Sequence, residues 1–125
     1  MKITCGTDII EIERIKNAIE KEGEKFLNQV YTDKEIEYCE SKKMVKYQHY
    51  AARFAAKEAI FKAISGYLNN KFELTWKDVE IKNNNKGKPE VCYKTNKLKE
   101  ITIDISISHC KEYATATAIA IQGGK

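Results

Sequence analysis

Residues 48–66, QHYAARFAAKEAIFKAISG, decide how the rest of this chain is organised. Tyr50, Phe54 and Phe61 recur at helical spacing and alanines fill most of the other positions, so the pattern predicts a helix. A helix that is apolar on nearly every side is usually buried, and we expect this one to form the centre of the fold. Gly66 suits the left-handed conformation that ends many helices.

Four charged residues interrupt this apolar helix: Arg53, Lys57, Glu58 and Lys62. A buried charge is costly unless it is paired or bound to a metal ion. One interpretation is a core helix whose charges reach its rim and extend into water. The other is an anion site, in which three cations and one carboxylate hold a phosphate-bearing ligand together with a metal ion. The helix alone leaves both interpretations open.

Length and composition limit the class of protein. A chain of 125 residues suits a single domain, which we assign to residues 1–122, with a flexible tail at 123–125. The formal charge of +4 suits an acidic partner but is not typical of a nucleic-acid binder. The four cysteines form no Cys-x-x-Cys motif, which argues against zinc. We see no signal-peptide pattern or membrane-spanning apolar run, and we expect a cytoplasmic protein without membrane contact.

The first half of the chain predicts one strand and two helices before the central helix. The strand covers residues 3–10, where Gly6 marks a bend or a close approach of another backbone segment. Helices are predicted over 13–29 and 33–41, and Thr32 with Glu35 forms a capping-box pattern at the start of the second. The polar segment 41–46 is expected to be a mobile loop.

The second half of the chain predicts strands. After a turn at Asn69 and Asn70, strands are expected over 79–82, 90–93, 101–109 and 113–122. The first two and the last two are each expected to form a hairpin. Because helices and strands do not alternate strictly, the predicted fold class is α+β, with an antiparallel sheet packed against the long central helix and an N-terminal helix.

Polar side chains stand at several places where a simple core does not need them. Asp8 interrupts an apolar strand, Glu58 lies among basic residues, the segment 87–89 is Gly-Lys-Pro, and His109 ends a strand. Each has an ordinary structural explanation when taken singly. Together they indicate a site, since Mg²⁺ binds one or two carboxylates and fills its remaining positions with water and substrate phosphate.

These motifs resemble those of bacterial holo-acyl carrier protein synthases. Residues 6–14, GTDIIEIER, are similar to the N-terminal signature of that family, and residues 54–63, FAAKEAIFKA, are similar to its central signature. Residues 87–89 and 106–109, GKP and SISH, resemble two later blocks. The resemblance covers the chain up to its tail.

The resemblance implies a magnesium-dependent 4′-phosphopantetheinyl transferase that acts as a homotrimer with sites at subunit interfaces. Such enzymes transfer the phosphopantetheine arm of coenzyme A to a serine of apo-acyl carrier protein, for fatty acid biosynthesis, and release adenosine 3′,5′-bisphosphate. Asp8 and Glu58 match the metal-ligand positions, and Lys62 matches a pyrophosphate contact. These three are the expected catalytic residues. The proton acceptor for the serine is left open between Glu58 and a water molecule.

Further contacts are expected for coenzyme A and for the carrier protein. By resemblance, Arg53, His109 and the loop of Gly87, Lys88 and Pro89 grip the adenine nucleotide end. The charge of Lys57 could neutralise phosphate oxygens beside Lys62. Arg14 matches the surface on which the acidic carrier protein docks, and Lys21 and Lys25 would extend it as a basic stripe on the same helix.

Three other functions are weighed against this one. An RNA-binding module would place stacking aromatics among basic residues on a sheet, and the strand segments offer only Trp76, Tyr93 and Tyr113. A non-catalytic binder of carrier proteins would be expected to lack Asp8 or Glu58, and both are present. A related transferase acting on peptidyl carrier domains stays open, although the short length favours the compact trimeric kind.

Overall fold

The computed structural model of the chain describes residues 1–68, 74–95, 98 and 100–123. Its helices and strands follow in the order β1 (Lys2–Glu11), α1 (Ile12–Glu22), α2 (Glu24–Val30), α3 (Asp33–Glu40), α4 (Lys46–Ile64), β2 (Val79–Asn83), β3 (Pro89–Tyr93), β4 (Ile101–His109) and β5 (Tyr113–Gln122). Short 3₁₀ turns cover Lys43–Val45, Ser65–Tyr67 and Trp76–Asp78. The α+β prediction is confirmed. The turn predicted at Asn69 and Asn70, and positions 124–125 of the predicted tail, lie outside the described residues.

The strands form two antiparallel sheets. The larger has the order β1-β5-β4, so the N-terminal strand pairs with the C-terminal one, and β2 and β3 form a separate hairpin. Both predicted hairpins are therefore confirmed. In the turn between β2 and β3, Gly87 has a φ of 82° and its N–H donates to the carbonyl of Asn84 at 2.9 Å.

Helix α4 lies against one face of the larger sheet, and small residues set how close it comes. Alanines of α4 pack on alternate alanines of β5, and all of them are buried: Ala55, Ala56, Ala59, Ala63, Ala116, Ala118 and Ala120. At Gly6 on β1 the contact is closer still, since an added Cβ would lie 2.2 Å from the carbonyl oxygen of Ala59. This confirms the predicted close approach. It also brings β1, with Asp8, directly onto α4.

The opposite face of the same sheet carries large apolar side chains without a cover. Ile3 and Ile9 of β1 and Ile119 of β5 are 61%, 65% and 43% exposed. Side chains alternate between the two faces of a strand, so these residues share the face that points away from α4. One face of the sheet is thus core and the other is an exposed apolar surface within this single chain.

Two predictions about helix ends are wrong. The helix expected over 13–29 is two helices, because Gly23 adopts a φ of 59° and donates its N–H to the carbonyl of Ile19, which ends α1. Gly66 is not a left-handed stop. Helix α4 ends at Ile64 and runs on into the 3₁₀ turn Ser65–Tyr67, where the Ser65 hydroxyl donates to the carbonyl of Lys62.

The start of α3 follows the sequence. The Thr32–Glu35 capping box is formed, with the Thr32 N–H donating to Glu35 Oε1 at 2.9 Å. The predicted loop at 41–46 contains the 3₁₀ turn Lys43–Val45. In the described part of the chain, no helix combines the length and apolar character needed to cross a membrane. The assignment of residues 1–122 to one domain stays a prediction.

Candidate functional site

Asp8, Glu58 and Lys62 come together where β1 crosses α4, and we call this group the carboxylate site. Lys62 Nζ lies 3.3 Å from Asp8 Oδ1 and donates to the carbonyl of Thr7 at 3.0 Å. The Asp8 side chain is mostly buried, whereas more than half of the Lys62 side chain is exposed. Glu58 lies one helical turn before Lys62 and is half-buried. Three residues predicted from the sequence to be catalytic are therefore neighbours.

The carboxylate site carries more negative than positive charge. Burial raises the pKa of Glu58, the nearby charge of Asp8 raises it further, and Lys62 partly offsets both. Two carboxylates face one ammonium group, and within the described residues no hydrogen-bond donor pairs with Glu58. A divalent cation would remove this imbalance.

The donor set of the carboxylate site fits a hard cation. The described residues include no cluster of three or more His, Cys, Asp or Glu side chains able to hold a metal ion. Two carboxylates are too few for a structural zinc site, which needs four protein ligands. They match the usual protein contribution to a Mg²⁺ site, in which water and substrate phosphate complete the coordination.

A second polar site, which we call the imidazole pocket, lies on the other side of α4. It is a cavity of about 190 Å³ whose walls include Tyr38, His49, Arg53, Asn83, Gly87, Pro89, Ile107 and His109. Arg53 is buried, stacks its guanidinium 4.1 Å from the centroid of the Tyr38 ring, and donates to Asn83 Oδ1 at 3.0 Å. Its Nε is buried without a hydrogen-bond partner among the described residues. The pocket thus holds an unsatisfied cationic donor.

His49 is a pocket residue that the sequence reasoning missed. Its ring centroid lies 5.7 Å from that of His109, and burial, followed by the charge of Lys42, lowers the pKa of His49 to about 4. A signal existed in the sequence: His49 precedes Arg53 by four residues and so shares its helix face. The aromatic and basic character of the surrounding helix concealed it.

The Gly-Lys-Pro loop contributes to the imidazole pocket in part. Gly87 and Pro89 line it, and the Asn83 side chain donates to the carbonyl of Gly87 at 3.2 Å. Lys88 does not line it. Its Nζ lies 3.1 Å from Asp104 Oδ1 on β4, where both side chains are exposed.

Lys57 requires a correction, because the structure leaves it no means of contacting coenzyme A. Its side chain is completely buried, and its ammonium group contacts Glu35 Oε1 at 2.7 Å and the carbonyls of Val30 and Trp76 at 2.7 and 2.9 Å. An ammonium has three donors, and all three are engaged. Burial lowers the pKa of Lys57, and Glu35 opposes the shift. Lys57 is a structural residue that ties α3, α4 and the segment around Trp76 together.

An apolar cleft adjoins the carboxylate site. Its cavity of about 230 Å³ is lined by Phe61, Ser65, Leu68, Leu74 and Trp76. The Trp76 ring stacks on Phe54 at a centroid distance of 5.0 Å and meets Phe61 edge-on at 5.3 Å. By their spacing, Phe54, Glu58 and Phe61 share one face of α4, so the cleft lined by Phe61 lies on the side of α4 that carries Glu58.

The predicted basic stripe is interrupted. Arg14, Lys21 and Lys25 are all exposed, as expected. The break at Gly23 places Arg14 and Lys21 on α1 but Lys25 on α2, so the three do not share one helix face. The stripe is therefore limited to α1.

The carboxylate site and the imidazole pocket lie at opposite edges of the larger sheet. Asp8 belongs to β1 and His109 to β4, which are its two outer strands. Arg53 and Lys62 are nine residues apart on α4, which at 3.6 residues per turn places them about 180° apart around the axis. Within one chain, the carboxylate site and the imidazole pocket therefore lie on opposite sides of α4.

Comparison with known proteins identifies the chain. A sequence model of the 4′-phosphopantetheinyl transferase superfamily matches residues 4–118. The chain belongs to this superfamily. A holo-[acyl-carrier-protein] synthase from Ruminiclostridium cellulolyticum is 46% identical, over 98% of this chain and 95% of that protein.

Solved structures agree with this family. A holo-(acyl-carrier-protein) synthase from Bacillus anthracis in complex with CoA (3′,5′-ADP) is similar with a TM-score of 0.79 and 34% identity, covering 96% of each chain. The Helicobacter pylori holo-[acyl-carrier-protein] synthase in complex with coenzyme A is similar with a TM-score of 0.81 and 30% identity, covering 94% of this chain and 99% of that one.

Proposed function

We propose that the chain is a holo-acyl carrier protein synthase. It transfers the 4′-phosphopantetheine group from coenzyme A to a serine of apo-acyl carrier protein, in the service of fatty acid biosynthesis. The observation that carries the proposal is the convergence of Asp8, Glu58 and Lys62 at one point of α4. Relatives named as holo-acyl carrier protein synthases, and relatives solved with coenzyme A, support it. The substrates imply a cytoplasmic location.

Asp8 and Glu58 are the residues that would hold Mg²⁺. The structure supports this assignment because Lys62 Nζ lies 3.3 Å from Asp8 Oδ1, and the charges of both Asp8 and Lys62 act on Glu58. Mg²⁺, when bound, would neutralise pyrophosphate charge and stabilise the leaving group. Lys62 adds a positive charge where negative charge accumulates on the departing phosphate.

The reaction is a phosphoryl transfer. The serine Oγ forms a bond to the β-phosphorus of coenzyme A, the bond from that phosphorus to the bridging oxygen breaks, and adenosine 3′,5′-bisphosphate leaves with the electron pair. Positioning and charge neutralisation account for most catalysis in this class. The serine proton must also be accepted. Glu58 is the nearest group with a raised pKa, which makes it a better proton acceptor than an ordinary carboxylate, and it acts directly or through water.

The imidazole pocket suits the nucleotide end of coenzyme A. Arg53 has a buried Nε without a described partner, and a phosphate oxygen would satisfy it. His109 adds a ring nitrogen to the lining of the pocket, and Gly87 and Pro89 line it as well. The RNA-binding alternative gains no support, because Trp76 stacks on Phe54 in the apolar cleft and Tyr93 is half-buried with its hydroxyl bonded to the carbonyl of Ile101.

A complete site requires a second copy of the chain. The imidazole pocket and the carboxylate site lie on opposite sides of α4, so one coenzyme A molecule cannot reach both within one chain. A closed ring of copies would place the pocket of one beside the carboxylates of the next. The exposed apolar face formed by Ile3, Ile9 and Ile119 supplies a surface for such association. The proposed assembly is a homotrimer.

The experiment that tests the activity is intact-mass measurement of an apo-acyl carrier protein after incubation with this protein, coenzyme A and Mg²⁺. We expect a gain of roughly 340 Da, the mass of one phosphopantetheine group, that disappears when a chelator sequesters the added Mg²⁺. An unchanged mass with several acyl carrier proteins would contradict the proposal. A mass gain seen only with peptidyl carrier domains would show that these domains, and not acyl carrier proteins, are the acceptor.

The shared site is tested by mixing two inactive variants, Arg53→Ala and Glu58→Gln. If each site takes its pocket and its carboxylates from different copies, random assembly of equal amounts restores about one quarter of wild-type activity, since each half is intact with a probability of one half. If both halves came from one chain, every site would keep a defect and mixing would restore nothing. Unmixed variants refolded in parallel provide the control.

A further inference from the structure

Three elements fix the ring of His49 on the wall of the imidazole pocket. Tyr38 of α3 meets it edge-to-face at a centroid distance of 5.6 Å, and His109 at the end of β4 meets it at 5.7 Å. His49 itself lies on α4, one turn before Arg53, and is half-buried. The ring is therefore carried by α4 and held between neighbours from two other elements.

The charged and titratable groups around His49 oppose its protonation. Lys42 follows α3, His109 ends β4, and Arg53 lies on α4; together with burial, these three lower the pKa of His49 to about 4. Tyr38 adds only an aromatic ring. Within the described part of the chain, no carboxylate is among the groups that act on His49. In the unliganded chain, burial and these neighbouring groups therefore disfavour the protonated form of His49.

The same pocket contains a donor that needs an acceptor. Arg53 is 3% exposed, and its Nε has no hydrogen-bond partner among the described residues, although its Nη2 donates to Asn83. A buried, unpaired donor on a charged group costs free energy. Phosphate supplies several strong acceptor oxygens and negative charge at once, and it matches the guanidinium fork.

We propose that His49 takes up a proton from solvent when a phosphate-bearing nucleotide enters the imidazole pocket, so that nucleotide binding is linked to pH. The inference rests on the proposed function, which supplies the nucleotide. A phosphate bound at Arg53 places negative charge beside the His49 ring, and a nearby opposite charge favours the protonated imidazole. A protonated imidazole also offers two N–H donors to the phosphate where the neutral ring offers one.

The sign of the pH dependence follows from the direction of this shift. The bound anion raises the pKa of His49 from its unliganded value of about 4, so the complex holds one more proton than the free components between the two values. Nucleotide affinity is highest at low pH and falls as pH rises through that interval. The steepest slope for one proton is about tenfold per pH unit.

Calorimetric titration with adenosine 3′,5′-bisphosphate tests the proposal. Heats measured at several pH values between the unliganded pKa of about 4 and neutrality, in phosphate-free buffers of different ionisation enthalpy, give the number of protons taken up. We compare wild type with His49→Phe, which keeps an aromatic ring against Tyr38, and with His109→Phe as the matched variant. The ligand phosphate also titrates near pH 6, but it does so in every variant. The readout is therefore the difference between wild type and His49→Phe.

We expect wild type to take up more protons than His49→Phe, by up to one per nucleotide, and its affinity to fall more steeply with pH. Inorganic phosphate should produce the same difference, and adenosine without phosphate should produce none. Equal uptake by wild type and His49→Phe, with binding intact, would overturn the role of His49 and leave the proposed function standing. Loss of uptake only in His109→Phe would overturn it as well.

Two further outcomes distinguish a failure of the proposed role of His49 from a failure of the proposed function or of folding. If neither adenosine 3′,5′-bisphosphate nor coenzyme A binds the wild-type protein, the nucleotide pocket of the proposed function is itself wrong. If His49→Phe melts well below wild type, His49→Gln, which keeps a neutral polar side chain, replaces it in the same comparison. Equal proton uptake by wild type and His49→Gln would again refute the proposal.

Discussion

Lys57 and Lys62 lie five residues apart on α4, and their surroundings differ in every respect. Lys57 is completely buried, and Glu35 together with the carbonyls of Val30 and Trp76 engages all three of its donors. The Lys62 side chain is more than half exposed, and among the described residues its ammonium group has polar contacts with Asp8 and the carbonyl of Thr7. One ammonium group is saturated by the fold, whereas the other keeps a donor and solvent access.

The difference shows how one helix serves both stability and chemistry. A charge buried away from water must be fully paired, and a group so paired cannot bind anything else. A charge at the rim costs little to leave partly unpaired, so it stays available for a ligand. The motif Lys-Glu at positions 57 and 58 therefore places a structural residue and a site residue next to each other, on different sides of α4.

The largest effect is expected for Lys57→Met, which removes the buried ammonium group of the two lysines compared above. Removing one partner leaves Glu35 charged and buried, which costs about 3–5 kcal/mol of unfolding free energy. Denaturant unfolding followed by circular dichroism measures this. Lys57→Met combined with Glu35→Gln removes the uncompensated charge and should recover part of the loss. A Lys57→Met variant of wild-type stability would show that the pair is not needed for folding.

Glu58→Gln should have the opposite profile, with folding intact and transfer lost. We expect activity to fall by more than about 100-fold, because even changes to groups that only support metal ligands cost 10- to 100-fold. The intact-mass assay with and without Mg²⁺ measures this. Glu37→Gln, at an exposed carboxylate of α3, is the control and should remain active. Near-normal turnover by Glu58→Gln would refute the metal assignment.

Lys62→Met sharpens the comparison with Lys57 directly. The same substitution at the exposed lysine should leave stability within about 0.5 kcal/mol of wild type, as for most surface changes. Turnover should fall about 10- to 100-fold, less than for a donor in a dry site, since water reaches Lys62. Lys34→Met, at an exposed position of α3, is the matched control. A loss of stability comparable to that of Lys57→Met would show that Lys62, like Lys57, is needed for folding.

His109→Ala probes the nucleotide side of the site. We expect the Michaelis constant for coenzyme A to rise about 10-fold, as for the loss of one hydrogen bond to a charged group, and the constant for the carrier protein to change little. Steady-state kinetics with each substrate varied in turn provides both values. An equal rise in both constants would assign His109 a structural role.

The smallest effect is expected in the pH dependence of stability. Because the pKa of Glu58 is raised in the folded chain, its ionisation destabilises the fold, and this cost appears as pH rises above the ordinary value of 4.5. Mg²⁺ would bind the ionised form, so stabilisation by Mg²⁺ should grow with pH and reach about 1.4 kcal/mol at tenfold excess over its dissociation constant. Thermal melts with and without Mg²⁺ test this, and Glu58→Gln should show no such effect.

Much of this molecule could be predicted from local patterns. The central helix, the Thr32 capping box and the alternating strand at 101–109 depend on short-range periodicity and hydrogen bonding, which neighbouring residues specify. The predictions of helix ends failed at glycines, where the backbone could adopt either of two conformations. Gly23 takes a positive φ and breaks a helix, and Gly66 continues as a 3₁₀ turn, because glycine itself permits both conformations.

The sequence by itself determined which residues are the candidates for the chemistry: Asp8, Glu58 and Lys62 were named from motif and charge, and they are neighbours in the structure. Only the tertiary structure decided which charged side chains are buried and fully paired and which stay exposed and able to bind a ligand. It turned Lys57 inward to Glu35, brought His49 against His109, and set the two sites on opposite sides of α4. The physical reason is that pairing and burial depend on residues distant in the chain, and helical periodicity fixes a side but not the partner found there.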